Sequence, residues 1–287
     1  MTLLMGVAFA ILWSSAFSVA KVLVAHIPPF TVSTVRFFIA ALIAGCLAVA
    51  LGQRLPRGWQ AWRPIILLGL CQNTLYLGLF FTAMVKIPAG LAAIIASAMP
   101  LIVAALAPAI VAEPLRPLKV IGLFVGFAGV IWFMADRIAG GIDGFGILLA
   151  IFGVMALAVA TLTIKKGDFG TGLLMVVACQ MAIGGLGCLP VALLIEDVTA
   201  FEINRSVVLA FIYQIVFPGI IATLLWFALV KRISTAGASA FHFLNPIFGV
   251  GFAALLLGEE ISPWDSLGVL LVAVGIGLVN RDQRRPS

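Results

Sequence analysis

Charge is what this sequence has least of. Only 10% of its 287 residues are Asp, Glu, Lys or Arg, against roughly 25% in a soluble domain. None of the eleven acids falls in the middle of an apolar run, so no buried carboxylate is available for proton antiport or for paired acid–base hydrolysis. The four cysteines, Cys46, Cys71, Cys179 and Cys188, lie inside apolar runs without C-x-x-C spacing. They read as small buried hydrophobes, not as disulfide partners or metal ligands. There is no H-E-x-x-H. Ser239 and His242 stand three apart, but Gly237-Ala238-Ser239-Ala240 lacks the second glycine of a G-x-S-x-G signature. No enzyme, catalytic residue, metal or cofactor is expected. The net charge of +6 is scattered through short loops and forms no patch, which argues against a nucleic-acid partner.

What is there is apolar. Hydrophobic residues make up 63% of the chain, more than a soluble fold of this size can bury, so lipid is the solvent that fits. Apolar runs fall at about 3–25, 30–51, 65–85, 89–110, 118–135, 144–165, 171–195, 206–230, 235–257 and 264–280. Crossing the hydrocarbon takes roughly 20 helical residues, and only helices satisfy their own backbone there. The first run has no small-residue cleavage pattern after it and reads as a membrane helix. The expectation is an all-α membrane protein with ten transmembrane helices.

The loops alternate in charge. Arg54, Arg57, Arg63, Arg116, Lys119, Lys165, Lys166, Lys231, Arg232, Arg281, Arg284 and Arg285 fall on one side, and only Lys86, Arg137 and Arg205 on the other. Twelve against three is a positive-inside signal that places both termini and the basic 281–287 tail in the cytoplasm.

A shift of 146 residues superimposes the chain on itself. Phe81 falls on Phe227, Ile87 on Ile233, Ala92 on Ala238, Pro100 on Pro246, Glu113 on Glu259, Pro117 on Pro263, Gly122 on Gly268 and Gly129 on Gly275. Each half, 1–135 and 144–280, then holds five spans. Five is odd, so the second half enters the membrane from the opposite face. Two inverted five-helix repeats are an arrangement common in secondary transporters.

Trp13-Ser14-Ser15-Ala16-Phe17 with Lys21, Arg36-Phe37, and the Pro100–Glu113 stretch with its copy at Pro246–Glu259 together resemble the drug/metabolite transporter superfamily, and within it the EamA-type ten-helix exporters. The chain looks most like the bacterial aromatic amino acid exporters of that group. The resemblance implies a central cavity between the halves, reached alternately from each side, and outward movement of amino acids or related metabolites across a bacterial inner membrane by a monomer or weak homo-oligomer. Export of other small metabolites or hydrophobic cationic drugs, or passive passage on the same fold, are the alternatives.

Polar groups at mid-membrane depth are the candidate site. Gln72, Asn73 and Tyr76 share a helix face by their spacing. Under the shift, Gln72 and Asn73 fall on Pro218 and Gly219, a helix breaker that frees a carbonyl. Interrupted helices at matched places point to a binding site in inverted-repeat transporters. Pro100 and Pro246 give a second matched kink, with Asn245 beside it. Trp13, Tyr213 and His242 lie deep in their runs and need polar partners, and His242 alone among mid-membrane groups titrates near neutral pH. The expected substrate-binding set is Trp13, Gln72, Asn73, Tyr76, Tyr213, His242 and Asn245, with helix breaks at Pro100, Pro218, Gly219 and Pro246. Lys21 and Arg36 read first as snorkelling to the interface, with contact to a substrate carboxylate as the alternative. Trp59, Trp62, Trp132, Trp226 and Trp264 read as interfacial, Glu113 and Glu259 as helix-end partners, and the glycines of spans five and ten as packing sites.

Overall fold

The computed structural model of the chain describes residues 1–87, 89–135, 143–257 and 264–281. Every regular element among them is helical. In chain order these are α1 (Thr2–Val24), α2 (Pro29–Ala50) and α3 (Gly58–Lys86). Next come α4, in two pieces (Ala89–Ala96 and Met99–Val111), α5 (Pro117–Met134), α6 (Gly144–Lys166) and α7 (Leu173–Ile195). Then follow α8 (Arg205–Arg232), α9, broken into Thr235–Ser239, Ala240–Phe243 and Leu244–Leu257, and α10 (Asp265–Arg281). Among the described residues, eight helices are long and apolar enough to cross a membrane. The other two are the broken α9 and the 17-residue α10. Most bounds fall close to the apolar runs. The exception is α3, which begins at Gly58 and not at 65, because the polar turn around Gln60 and Arg63 is helical without being apolar. Glu259, Glu260 and residues 282–287 of the tail lie outside the described residues.

The inverted symmetry is legible in one seam. A Cβ built on Gly122 of α5 lies 2.9 Å from the Gly275 carbonyl of α10, and one built on Gly129 lies 2.9 Å from the Gly268 carbonyl. Numbers rise along α5 as they fall along α10, so the helices are antiparallel. The pairing is also reciprocal, since the 146 shift carries Gly122 to Gly268 and Gly129 to Gly275. Residue i touching the copy of j while j touches the copy of i is the signature of a two-fold contact. The pair α2 and α7 crosses the same way, with Gly45 against Ala178 and Gly185 against Phe38. Small residues let these helices approach where no hydrophobic effect drives them together.

Two helices carry π-helical turns at matched places: Gly69–Leu77 in α3 and Ile215–Ala222 in α8. Shifted by 146, the first begins where the second does. Proline explains α8: Pro218 has no N–H to continue the ladder, and the Thr223 hydroxyl donates to its carbonyl at 3.3 Å. In α3 the cause is lateral packing. Gly69 lies against the Gln180 carbonyl of α7, and Asn73 and Thr74 reach across to Gln180 and Gly184. The α4 and α9 breaks lie close under the same shift, Ser97–Ala98 falling on the end of the Ala240–Phe243 turn. Pro100 and Pro246 sit in the first turn of the segment after each break, where a missing N–H costs little.

Charged groups fix helix ends. Glu113 accepts from the Thr235 backbone at 2.8 Å and from its hydroxyl at 2.9 Å, capping α9, with Lys165 3.7 Å away. Glu196 does the same for α2, accepting from the Phe30 and Thr31 amides at 2.8 Å. Two expectations fail here. Trp226 is not interfacial but 1% exposed, stacked 4.9 Å from Phe9 and edge-on to His242, because its side of α8 turns toward α1. Cys46 is exposed, unlike the other three cysteines.

Candidate functional site

Trp13, Gln72 and Pro218 stand at, or within a residue of, the midpoints of α1, α3 and α8. All three line one cavity between the two halves. Both π-turns contribute to its wall, Gln72, Asn73, Tyr76 and Leu77 from α3 and Pro218 and Gly219 from α8. Around them stand Ala16 of α1, Arg36, Phe37 and Ala40 of α2, Phe81 of α3, Met181 of α7, and Gln214 and Thr223 of α8. Both repeats therefore line the cavity, and none of these residues is acidic.

One wall is aromatic. The Trp13 and Tyr76 rings lie nearly parallel, 9° apart with centroids 6.5 Å apart. Phe80 leans on Tyr76 at 5.4 Å, and Phe9 supports Trp13 at 5.3 Å. The polar wall is made of amides. Asn73 donates to both the Gln180 carbonyl and the Gln180 side-chain oxygen, at 3.0 and 2.9 Å, so its amide is committed to holding α3 on α7. Gln72 is 1% exposed, and its side-chain oxygen has no hydrogen-bond partner. Gln214 bridges helices, donating to the Ala16 carbonyl at 2.6 Å and accepting from Arg36 at 2.9 Å.

Arg36 corrects the snorkelling expectation. It lies seven residues past Pro29, near enough to the end of α2 to reach out, yet it is 5% exposed and lines the cavity. The side chain of Lys21 lies outside the described residues.

The expected binding set divides. Trp13, Gln72, Asn73 and Tyr76 line the cavity together with Pro218 and Gly219. Tyr213, His242 and Asn245 do not, and stand one layer behind it. The Tyr213 hydroxyl pairs with Ser15 at 2.6 Å and its ring stacks on Phe217. His242 sits among Phe9, Trp13 and Trp226, with its Nδ1 accepting from Asn245 at 3.0 Å, and Asn245 accepts from Ser14 at 3.3 Å. These three brace α1, which carries Trp13. Pro100 and Pro246 serve α4 and α9 away from the cavity. Gln180, Gln214, Phe37 and Phe81 were not among the expected site residues, although a lone amide in an apolar run was signal enough for the two glutamines.

The EamA-like transporter family matches residues 1–135 and 144–281. The chain is similar to an uncharacterized transporter of Synechocystis, 28% identical over 95% of this chain and 88% of that protein. It is also similar to the uncharacterized inner membrane transporter YedA of Escherichia coli, 27% identical over 94% of this chain and 89% of YedA. A protein of known crystal structure shares the fold with a TM-score of 0.81, at 20% identity over 99% of this chain and 98% of its own.

Proposed function

Because this chain belongs to the EamA-like transporter family, we propose that it exports amino acids with aromatic or other apolar side chains across a bacterial plasma membrane by alternating access. The observation that carries this reading is the mid-bundle cavity, walled by both inverted halves at their paired π-turns. A parallel pair of rings offers contact area to an apolar side chain. Amides and freed backbone groups suit polar ends held away from water. The cavity also breaks the symmetry of the fold: α1 borders it, while its counterpart α6 does not. Exchanging the roles of α1 and α6 would open the same site to the opposite face, which is what an inverted repeat provides. A cationic Arg36 in the wall weighs against hydrophobic cationic drugs as the main cargo.

Counterflow in liposomes containing the purified protein tests this. Radiolabelled phenylalanine, tryptophan and leucine should show saturable counterflow well above glycine, lysine and glutamate. Counterflow also separates a carrier from a passive pore. If no amino acid exchanges above empty liposomes, the cargo is of another class.

The alternating basic loops support a cytoplasmic position for the Glu113, Lys165 and Lys231 end of the bundle. There Lys165 donates to the Ile233 carbonyl at 2.8 Å and Lys231 donates to the Gly167 carbonyl, joining the ends of α6 and α8. In a variant without native cysteines, a cysteine at Thr199 should react with an impermeant maleimide on intact cells, and one at Arg57 only after permeabilisation. Both positions are exposed. The reverse pattern would overturn the orientation.

A further inference from the structure

We propose that Arg36 is the anchor for the substrate's carboxylate, so that the cavity selects molecules joining a carboxylate to an apolar or aromatic body and does not require an ammonium group. This deepens the transport reading above and rests on it. Arg36 lies deep in the bundle at 5% exposure, yet only one of its three nitrogens has a partner: Nη1 donates to the Gln214 side-chain oxygen at 2.9 Å. Nε and Nη2 are buried with no hydrogen-bond partner. Those two nitrogens lie on one edge of the guanidinium, the edge a carboxylate grips with two parallel hydrogen bonds.

A buried cation is costly unless paired. Among the described residues no carboxylate pairs with Arg36, and no acid lines the cavity. An anion supplied from outside completes the site. The surroundings orient the guanidinium without neutralising it: Gln214 is itself held by the Ala16 carbonyl, and the guanidinium lies 5.5 Å from the Phe81 ring centroid. The Trp13–Tyr76 wall stands in the same cavity to receive the apolar body. For an ammonium group the lining residues offer only neutral acceptors, such as the Gln72 amide. A bound monoanion leaves the cavity neutral, whereas a zwitterion leaves the charge of Arg36 in place. The ammonium is therefore dispensable and the carboxylate is not.

The test keeps the side chain constant and changes the head group. Proteoliposomes are assayed for phenylalanine counterflow in competition with 3-phenylpropionate, phenethylamine and phenylalanine methyl ester. Thermal stabilisation of the detergent-solubilised protein by each compound is measured in parallel. Phenylalanine and 3-phenylpropionate should compete and stabilise, and the amine and ester should be at least about tenfold weaker, the loss expected when hydrogen bonds to a charged group go. Arg36→Gln should abolish the distinction between acid and amine, and Arg36→Lys should retain part of it. The wild-type series decides the matter even if the variants fold poorly. Equal competition by amine and acid, or undiminished phenylalanine counterflow in Arg36→Gln, overturns the anchor and leaves the transport reading standing. Stabilisation by 3-phenylpropionate that Arg36→Gln loses, without transport of any amino acid, upholds the anchor and overturns the amino acid reading. No stabilisation and no transport by any of the compounds overturns both.

Discussion

Gly275→Leu should leave little monodisperse protein, while Gly277→Leu, two residues along the same helix, should behave as wild type. A Cβ at Gly275 would lie 2.5 Å from the Gly126 nitrogen and 2.6 Å from the Gly122 carbonyl oxygen. Both are backbone atoms, so no side chain can swing away, and the α5–α10 seam must part. Overpacking typically costs about 1–3 kcal/mol where side chains yield, and contact with rigid backbone on the partner helix puts this case at or above the upper end. Gly277 has nothing within 4 Å of its Cβ position. The space beside it is open, and a leucine there meets no other part of the protein. Fluorescence-detected size exclusion after a heating series reads both variants. A Gly275→Leu protein as heat-resistant as wild type would show that the seam is looser than the geometry says.

The second large effect is on substrate choice. Trp13→Ala and Tyr76→Ala should each lower counterflow of tryptophan and phenylalanine by about fivefold or more while lowering leucine less, since a ring pair adds on the order of 1 kcal/mol beyond burial. Trp13 carries the greater structural risk. It is 6% exposed and also touches Phe9 and His242, and removing a buried tryptophan commonly costs about 3–5 kcal/mol of stability. Tyr76→Phe is the control, because it keeps the ring and loses only the hydroxyl; it should keep the preference for aromatic cargo. Equal losses for every substrate would assign both rings to packing. No loss at either position would move the site out of this cavity.

The architecture was legible in the sequence because each of its signals is periodic or repeated: apolar runs of spanning length, alternating loop charge, and a self-match without gaps from residue 81 to 130. The matched pair Gln72-Asn73 and Pro218-Gly219 led to the cavity because both halves bend there, at the π-turns. Depth alone misled for Tyr213, His242 and Asn245. A residue can sit mid-membrane and point at a neighbouring helix, and rotation about the helix axis is set by packing. For Arg36 the rotation was readable and went unread. Arg36, Ala40, Ala44 and Ala48 recur every four residues and are all buried, so the stripe of small residues that packs α2 into the bundle carries the guanidinium inward with it. Trp226 fails for the same reason, since its distance from the end of α8 says nothing of the side it faces.

The glycine seam also has a consequence for the lipid around it. The two helices it joins are 18 and 17 residues long, which at 1.5 Å per residue is about 26–27 Å even with no tilt. Hydrocarbon in a typical bilayer is roughly 30 Å thick. The other face of this pair carries Phe124, Ile121 and Leu270, more than half exposed, while Trp132 and Trp264, joined by an indole-to-carbonyl hydrogen bond, mark one rim. Where the hydrocarbon is thicker than this edge, acyl chains meeting it shorten at a cost of fractions of a kcal/mol per ångström. A seam pair this short should fit thinner bilayers better than thick ones on that flank.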